Sequence, residues 1–243
     1  LWDDLESSSA LDNQFVIMAG GEGKRLRPFT ESCPKPMLEV AGKPMLAHIV
    51  ERAVAEGFAN ITMCLNYLGH MIVDYFGDGA AWGATITYVH EEEKLGTAGA
   101  LGLLDPVPNL PFIVTNGDVM TDIAYLDLLN FHNSHRADAT MAVRQMEWRN
   151  PYGVVRTNGL TITGFEEKPV QRHHVNAGIY ALEPSALRHL KAGDFCDMPT
   201  LFTDVSKAGG AALVFPMHEP WMDVGRPDDL EKAHSIKGDQ EEA

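Results

Sequence analysis

Residues 15–28 read FVIMAGGEGKRLRP. Phe15–Met18 is a short apolar run, suited to a strand buried on both faces. Gly20, Gly21 and Gly23 follow, and Lys24, Arg25 and Arg27 crowd in behind them. In open α/β sheets, ligands bind beyond the carboxyl ends of the strands. A buried strand that runs into a glycine turn with spare positive charge therefore predicts an α/β sheet with an anion at its edge.

Strand and helix patterns alternate downstream. From Pro44, the residues Met45, Leu46, Ile49, Val50, Ala53 and Val54 repeat at helical spacing, and Gly57 can end that helix. Residues 61–65 (ITMCL) read as the next strand and 69–76 (GHMIVDYF) as a helix. Residues 84–91 (ATITYVHE) read as a strand, 96–104 (GTAGALGLL) as a short helix, and 111–118 (PFIVTNGD) as a strand ending on Asp118. This βαβ series predicts a Rossmann-like, mostly parallel sheet with helices on both faces.

The texture changes after about residue 145. Alternating residues flank Asn158–Gly159, a strong hairpin signal, and 175–183 (VNAGIYALE) read as another strand. A nucleotide-type part (about 14–145) and an acceptor-binding, β-rich part (about 146–225) are expected, interleaved in one sheet within a domain spanning 14–236. Residues 1–13, which open LWDDLESSS, read as a linker or the tail of an upstream domain, and 237–243 as a solvated tail.

Composition narrows the chemistry. The chain has 243 residues, 45% of them hydrophobic, with a formal net charge of −15. That balance argues against nucleic-acid binding, which needs a basic face. No stretch approaches the ~20 apolar residues of a membrane span, and the start has no signal-peptide pattern. Cys33, Cys64 and Cys196 lie far apart, forming neither a disulfide framework nor a CxxC site, which fits a cytoplasmic protein. Positive charge is instead local: Lys24, Arg25, Arg27 and Lys35 suit a small polyanion.

Two phosphate-binding motifs are excluded. A GxGxxG fingerprint starting at Gly21 would need glycine where Leu26 stands. A Walker A motif ending on Gly23–Lys24 would need glycine at Met18 and Ser or Thr at Arg25. What remains is a different cradle. The glycines permit positive φ and close backbone approach, and their N–H groups can line an anion nest. Arg25 offers a rigid fork of donors, and Lys35, between Pro34 and Pro36, is a point charge on a stiffened backbone. The plainer reading is a tight turn with surface cations.

The stretch MAGGEGKRLRPFTESCPKPMLEVAGKPML resembles the signature of the sugar-1-phosphate nucleotidyltransferases, the NDP-sugar pyrophosphorylases. The similarity continues through LNYL, LGTAGAL, NGD, YGVV, EEKP, VNAGIY and WMDVGRP, so it covers about residues 14–233. The resemblance implies the nucleotide-diphospho-sugar transferase fold. It implies an enzyme that joins a nucleoside triphosphate to a sugar 1-phosphate and releases pyrophosphate, with Mg²⁺ as cofactor.

Residue by residue, the resemblance makes Arg25 and Lys35 catalytic. It assigns the nucleotide to Ala19, Gly20, Gly21, Gly23, Lys24, Asn66, Gly96, Thr97 and Asp118. It gives the metal to Asp118 and Asp223, and the sugar phosphate to Tyr152, Gly153, Glu167, Lys168, Asn176 and Gly178. Without it, Asp118 and Asp223 read equally as turn or cap aspartates, and Glu167 as part of a solvated hairpin. No D-x-D metal motif follows Asp118, where Val119 and Met120 stand, which argues against a glycosyltransferase.

A carboxylate among Glu91–Glu93 could accept from guanine N1–H and N2–H₂, which favours GTP. The opening LWDDL and the segment DMPTLF are similar to family members in which a CBS pair precedes the catalytic domain. Some of those are glucosamine-1-phosphate guanylyltransferases, so GTP with glucosamine 1-phosphate is the first expectation. Mannose-1-phosphate guanylyltransferase and N-acetylmuramate-1-phosphate uridylyltransferase are the alternatives, and an inactive nucleotide-sugar-binding regulatory module is the rival of another class. A fused CBS domain is an expected partner, and a homo-oligomer is compatible with the sequence.

Overall fold

The computed structural model describes residues 10–233. The expected C-terminal tail and most of the expected N-terminal linker lie outside the described residues. Among the described residues, no helix is long and apolar enough to cross a membrane.

In chain order, the first half contains β1 (Leu11–Met18), β2 (Glu39–Val40), β3 (Lys43–Pro44), α1 (Met45–Ala55), β4 (Phe58–Leu65) and α2 (Gly69–Phe76). Then come β5 (Thr85–His90), β6 (Phe112–Asn116), β7 (Val119–Thr121), α3 (Tyr125–Ser134) and β8 (Ala139–Arg149). The rest comprises β9 (Gly153–Asn158), β10 (Thr161–Glu167), β11 (Val170–Leu182), α4 (Met198–Lys207), β12 (Ala212–Met217) and β13 (Trp221–Asp223).

A seven-stranded sheet runs β12-β8-β11-β6-β1-β4-β5. Its pairings are parallel except those of β11, which is antiparallel to both β6 and β8. This is the expected mixed, mostly parallel sheet. Alternation along β1 explains the layers. Phe15 and Ile17 belong to the core under α1, α2 and α3, whereas Val16 belongs to the opposite core with Met198, Leu201, Phe202 and Val205 of α4. Both faces of a central parallel strand are thus covered, which is why its sequence is a continuous apolar run. The ring of Phe15 meets that of Tyr125 edge-on at 4.8 Å, tying β1 to α3.

Several boundaries differ from expectation. β1 begins at Leu11, inside the segment read as linker, because Leu11 N–H donates to Gly57 O and extends the pairing with β4. The 96–104 segment is a 3₁₀ helix over Gly99–Leu103 only. The strand expected to reach Asp118 ends at Asn116, and Asp118 sits in the turn before β7. The hairpin exists, but Asn158 pairs with Thr161, so its two turn residues are Gly159 and Leu160. Gly159 has φ +60, so the left-handed step is the glycine's. This hairpin, β9–β10, is a sheet of its own. β8 and β11, in contrast, belong to the main sheet and continue past residue 145 without a break.

Candidate active site

The carboxyl ends of β1, β4 and β6 finish level. Met18 is in register with Cys64 on one side and Asn116 on the other. Ala19 N–H donates to Cys64 O at 2.8 Å, and Gly117 N–H donates to Met18 O at 2.9 Å. The glycine loop therefore leaves the sheet directly beside the turn that carries Asp118. A cavity of about 460 Å³ opens there, with Ala19, Gly20, Gly21, Gly23, Lys24, Lys35, Gly96, Thr97 and Asp118 among its lining.

Space requires glycine at position 20, and both space and φ require it at position 23. A Cβ at Gly20 would stand 2.9 Å from Glu91 Oε1 and 3.1 Å from Asn66 Cβ. Gly23, at φ +61, would press a Cβ to 2.9 Å from both Lys35 Cβ and Thr30 Cγ2. The buried Thr30 hydroxyl donates to Gly23 O at 2.9 Å and pins the loop from below. Leu26, fully buried, anchors the short helix that follows.

Arg25 lines an adjoining pocket of about 220 Å³ shared with Gly21, Gly23, Lys24, Lys35 and Asp118. Its guanidinium lies flat against Gly225, where a Cβ would be 3.4–3.6 Å away. Among the described residues it has no hydrogen-bond partner, so its donor fork is available to a ligand.

The acidic pair is assembled by a small sheet. β13 pairs antiparallel with β7, matching Asp223 to Val119, so Asp223 lies next to Asp118. Lys35 is only 7% exposed, and its ammonium donates to Asp118 Oδ2 and lies 3.5 Å from Asp223 Oδ1. The two carboxylates already share one positive charge, and both remain partly exposed. A pair of hard oxygen donors beside a phosphate-sized cavity fits Mg²⁺, which takes one or two carboxylates and fills its shell with phosphate oxygens and waters. Among the described residues, no cluster of three or more His, Cys, Asp or Glu could hold a metal by itself.

On the far wall, Glu91 is the member of the 91–93 run that faces the cavity, whereas Glu92 and Glu93 are exposed. Burial pushes the Glu91 carboxyl up, and Leu95 N–H, donating to its Oε2 at 3.1 Å, partly opposes this. Asn66 is not in the lining. Its amide donates to Glu91 O at 2.8 Å, so it shapes the wall from behind. Thr97 lines the cavity, yet its N–H and hydroxyl both donate to Asp197 Oδ1, at 3.0 and 3.2 Å. Gly96, at φ +80, sits so close to the Cys196 carbonyl that a Cβ would be 2.6 Å from its oxygen.

The expected sugar residues fall into two groups. Asn176 and Gly178 lie in the irregular part of β11, near the acidic pair. Asn176 Oδ1 accepts from Gly178 N–H at 2.9 Å, and a Cβ at Gly178 would be 2.7 Å from Asn116 Nδ2. Trp221 Nε1–H donates to Ala177 O at 2.8 Å and joins this turn to β13. Tyr152, Gly153, Glu167 and Lys168 are instead on or beside the exposed β9–β10 hairpin and do not line the cavity. Tyr152 is 76% exposed. These four stand on an element that pairs only with itself, apart from the main sheet that carries Asn176 and Gly178.

Sequence reasoning missed Glu22, Pro36, Asn116 and Phe195, which also line the cavity. It missed Asp197 as the anchor of Thr97. Glu22 carried a legible signal, an acid inside a glycine-and-cation loop. Phe195 and Asp197 carried none, since they reach the site only through the fold.

The profile of the nucleotidyl transferase family matches residues 14–240. The mannose-1-phosphate guanyltransferase of Yarrowia lipolytica is 35% identical over 223 residues, covering 88% of this chain and 61% of that protein. The mannose-1-phosphate guanyltransferase of Candida albicans is 35% identical over 231 residues, covering 88% of this chain and 62% of that protein. The chain thus spans about three fifths of the length of these curated relatives. Among solved structures, HddC from Yersinia pseudotuberculosis complexed with GMP-PN superposes with a TM-score of 0.71 at 25% identity, covering 93% of this chain and 99% of that one.

Proposed function

This chain belongs to the nucleotidyl transferase family, and from that premise we propose that it transfers a guanylyl group from GTP to a hexose 1-phosphate. An anionic oxygen of the sugar phosphate attacks the α-phosphorus of GTP. The bond from that phosphorus to the bridging oxygen breaks, and pyrophosphate leaves. The nucleophile arrives already deprotonated, so no general base is needed, and catalysis consists of in-line positioning and charge neutralisation.

The observation that carries this reading is the Lys35 ammonium held between Asp118 and Asp223 at the wall of a glycine-lined cavity. In this reading Asp118 and Asp223 hold Mg²⁺, which when bound withdraws charge from the phosphate oxygens. Lys35 neutralises charge at the reacting phosphate. Gly20, Gly21 and Gly23 give the loop its close approach, and Arg25 grips the phosphates that leave. Lys24 adds charge to the same loop. Ala19, Gly96 and Thr97 frame the base, with Asn66 behind them. Glu91, as carboxylate, accepts from guanine N1–H and N2–H₂.

The acceptor is assigned to Asn176 and Gly178, with Tyr152, Gly153, Glu167 and Lys168 contributed by the hairpin. The names of the relatives support mannose 1-phosphate ahead of the glucosamine 1-phosphate first expected from sequence. Pyrophosphate release over a grid of four nucleoside triphosphates and several hexose 1-phosphates tests the proposal. Release with GTP and mannose 1-phosphate is the expected outcome. Release confined to glucosamine 1-phosphate would correct the acceptor, and no release with any pair would support a binding module instead.

A further inference from the structure

Glu22 stands inside the glycine loop, between Gly21 and Gly23. Its Oε2 is 3.2 Å from Lys24 Nζ, and its Oε1 accepts from Lys94. All three residues line the 460 Å³ cavity. Lys94 comes from the opposite wall, the segment of Glu91, Leu95 and Gly96, so the contact spans the cavity from the phosphate loop to the base side. Glu22 is the less exposed partner, its side chain 24% exposed, against 66% for Lys24 and 58% for Lys94. The two ammonium groups hold its carboxyl below the usual range.

This carboxylate is an anion set where the loop is otherwise built for anions. Glycine N–H groups and two flanking cations are what a polyphosphate needs, and one acidic side chain already engages both cations. Ion pairs made by largely exposed cations such as Lys24 and Lys94 are weak, so a highly charged ligand displaces Glu22 readily. The two cations also differ in origin. Lys24 belongs to the phosphate loop itself, whereas Lys94 reaches over from the wall assigned to the base.

We infer that Glu22 competes with the donor's triphosphate for Lys24 and Lys94, and that Lys94 is a phosphate-binding residue. The inference rests on the reading of this cavity as the nucleoside triphosphate site. Its consequence is a threshold. Ligands with two or three phosphates displace Glu22 from both ammonium groups, while a ligand with one phosphate gains too little charge to do so. The pair also links the two walls, so its opening accompanies nucleotide binding.

Calorimetric titration of GTP, GMP and inorganic tripolyphosphate into the full chain tests this without any sugar phosphate. Glu22→Gln is expected to tighten GTP and tripolyphosphate by about three- to tenfold, and Lys94→Ala to weaken both by about fivefold. Glu93→Gln, which removes the same charge from the exposed neighbour of Lys94, is expected to change binding less than about twofold. Unchanged or weaker tripolyphosphate binding by Glu22→Gln, or an equal gain in Glu93→Gln, would overturn the inference. If the unmodified chain binds GTP but Glu22→Gln gains nothing, the competition fails alone. If it binds neither GTP nor tripolyphosphate, the reading of the cavity fails with it.

Discussion

Asp118 and Asp223 share one cation: the Lys35 ammonium donates to Asp118 and lies 3.5 Å from Asp223. The register of β7 against β13 creates this relation, since it sets Asp223 opposite Val119. If the pair also holds the metal, Asp223→Asn lowers turnover by about 10²–10³-fold, the scale of losing one preorganised charge partner. Its carboxylate is half-exposed, so melting temperature stays near the unmodified value. Pyrophosphate release against Mg²⁺ concentration checks this, and turnover within twofold at all concentrations would contradict it.

Arg25 packs on Gly225 and has no hydrogen-bond partner among the described residues. Arg25→Ala should therefore cost about 10²-fold or more in turnover with little change in thermal stability. Arg25→Lys recovers only part of the loss, because a point charge cannot replace a planar fork. Comparing both variants for kcat and melting temperature separates catalysis from packing.

Trp221 holds β13 to the turn at Ala177 through one hydrogen bond. Trp221→Phe keeps most of the apolar contact and loses about 1 kcal/mol of hydrogen bonding. The expected result is a severalfold rise in the Mg²⁺ concentration needed for half-maximal rate. A pure loss of sugar affinity, with the Mg²⁺ curve unmoved, would place Trp221 in the acceptor site instead.

Gly96→Ala meets both a left-handed φ of +80 and a carbonyl oxygen 2.6 Å from its new Cβ. A shift of the loop is unavoidable. The expected destabilisation is about 1–3 kcal/mol, read as a lower urea midpoint, together with weaker GTP binding.

His132 is fully buried, with Nδ1 2.9 Å from the Thr140 hydroxyl and Nε2 3.8 Å from Glu183 Oε1. Burial pushes its pKa down to about 4, from 6.5. Between those values the unfolded chain binds the proton and the folded chain does not. Stability is therefore lost as pH falls from 6.5 towards 4, by up to about 3 kcal/mol, and is flat above. The partly buried Glu56, Glu91 and Glu183 carboxyls, pushed up by desolvation, act with the opposite sign. Urea melts of His132→Gln beside the unmodified protein isolate the effect: the variant should lose less stability between pH 7 and 5.

The sheet was legible wherever local pattern and tertiary packing agree. The apolar run at 15–18 and the 3.6-residue period of α1 point to the same buried faces that the fold provides. The loop chemistry was legible because glycines and cations are adjacent in sequence. What sequence could not supply was convergence. Asp197 reaches Thr97 only because α4 packs under the 96–104 segment, and Asn66 turns its amide to Glu91 because β4 and β5 are neighbours. The hairpin shows the same limit: its motif residues were visible, but its standing as a sheet of its own, outside the cavity lining, is a property of strand pairing.

One more consequence lies in the junction between the sheet and the hairpin. Arg149 pairs with Val170, and Asn150 N–H donates to Pro169 O at 3.0 Å. The chain thus leaves and returns through the same doorway, and residues 151–168 form a closed excursion. Such a segment is an exchangeable cartridge. If the hairpin carries the proposed acceptor residues, splicing the counterpart of a relative between Asn150 and Pro169 changes acceptor preference without touching the elements that carry Asp118 and Asp223.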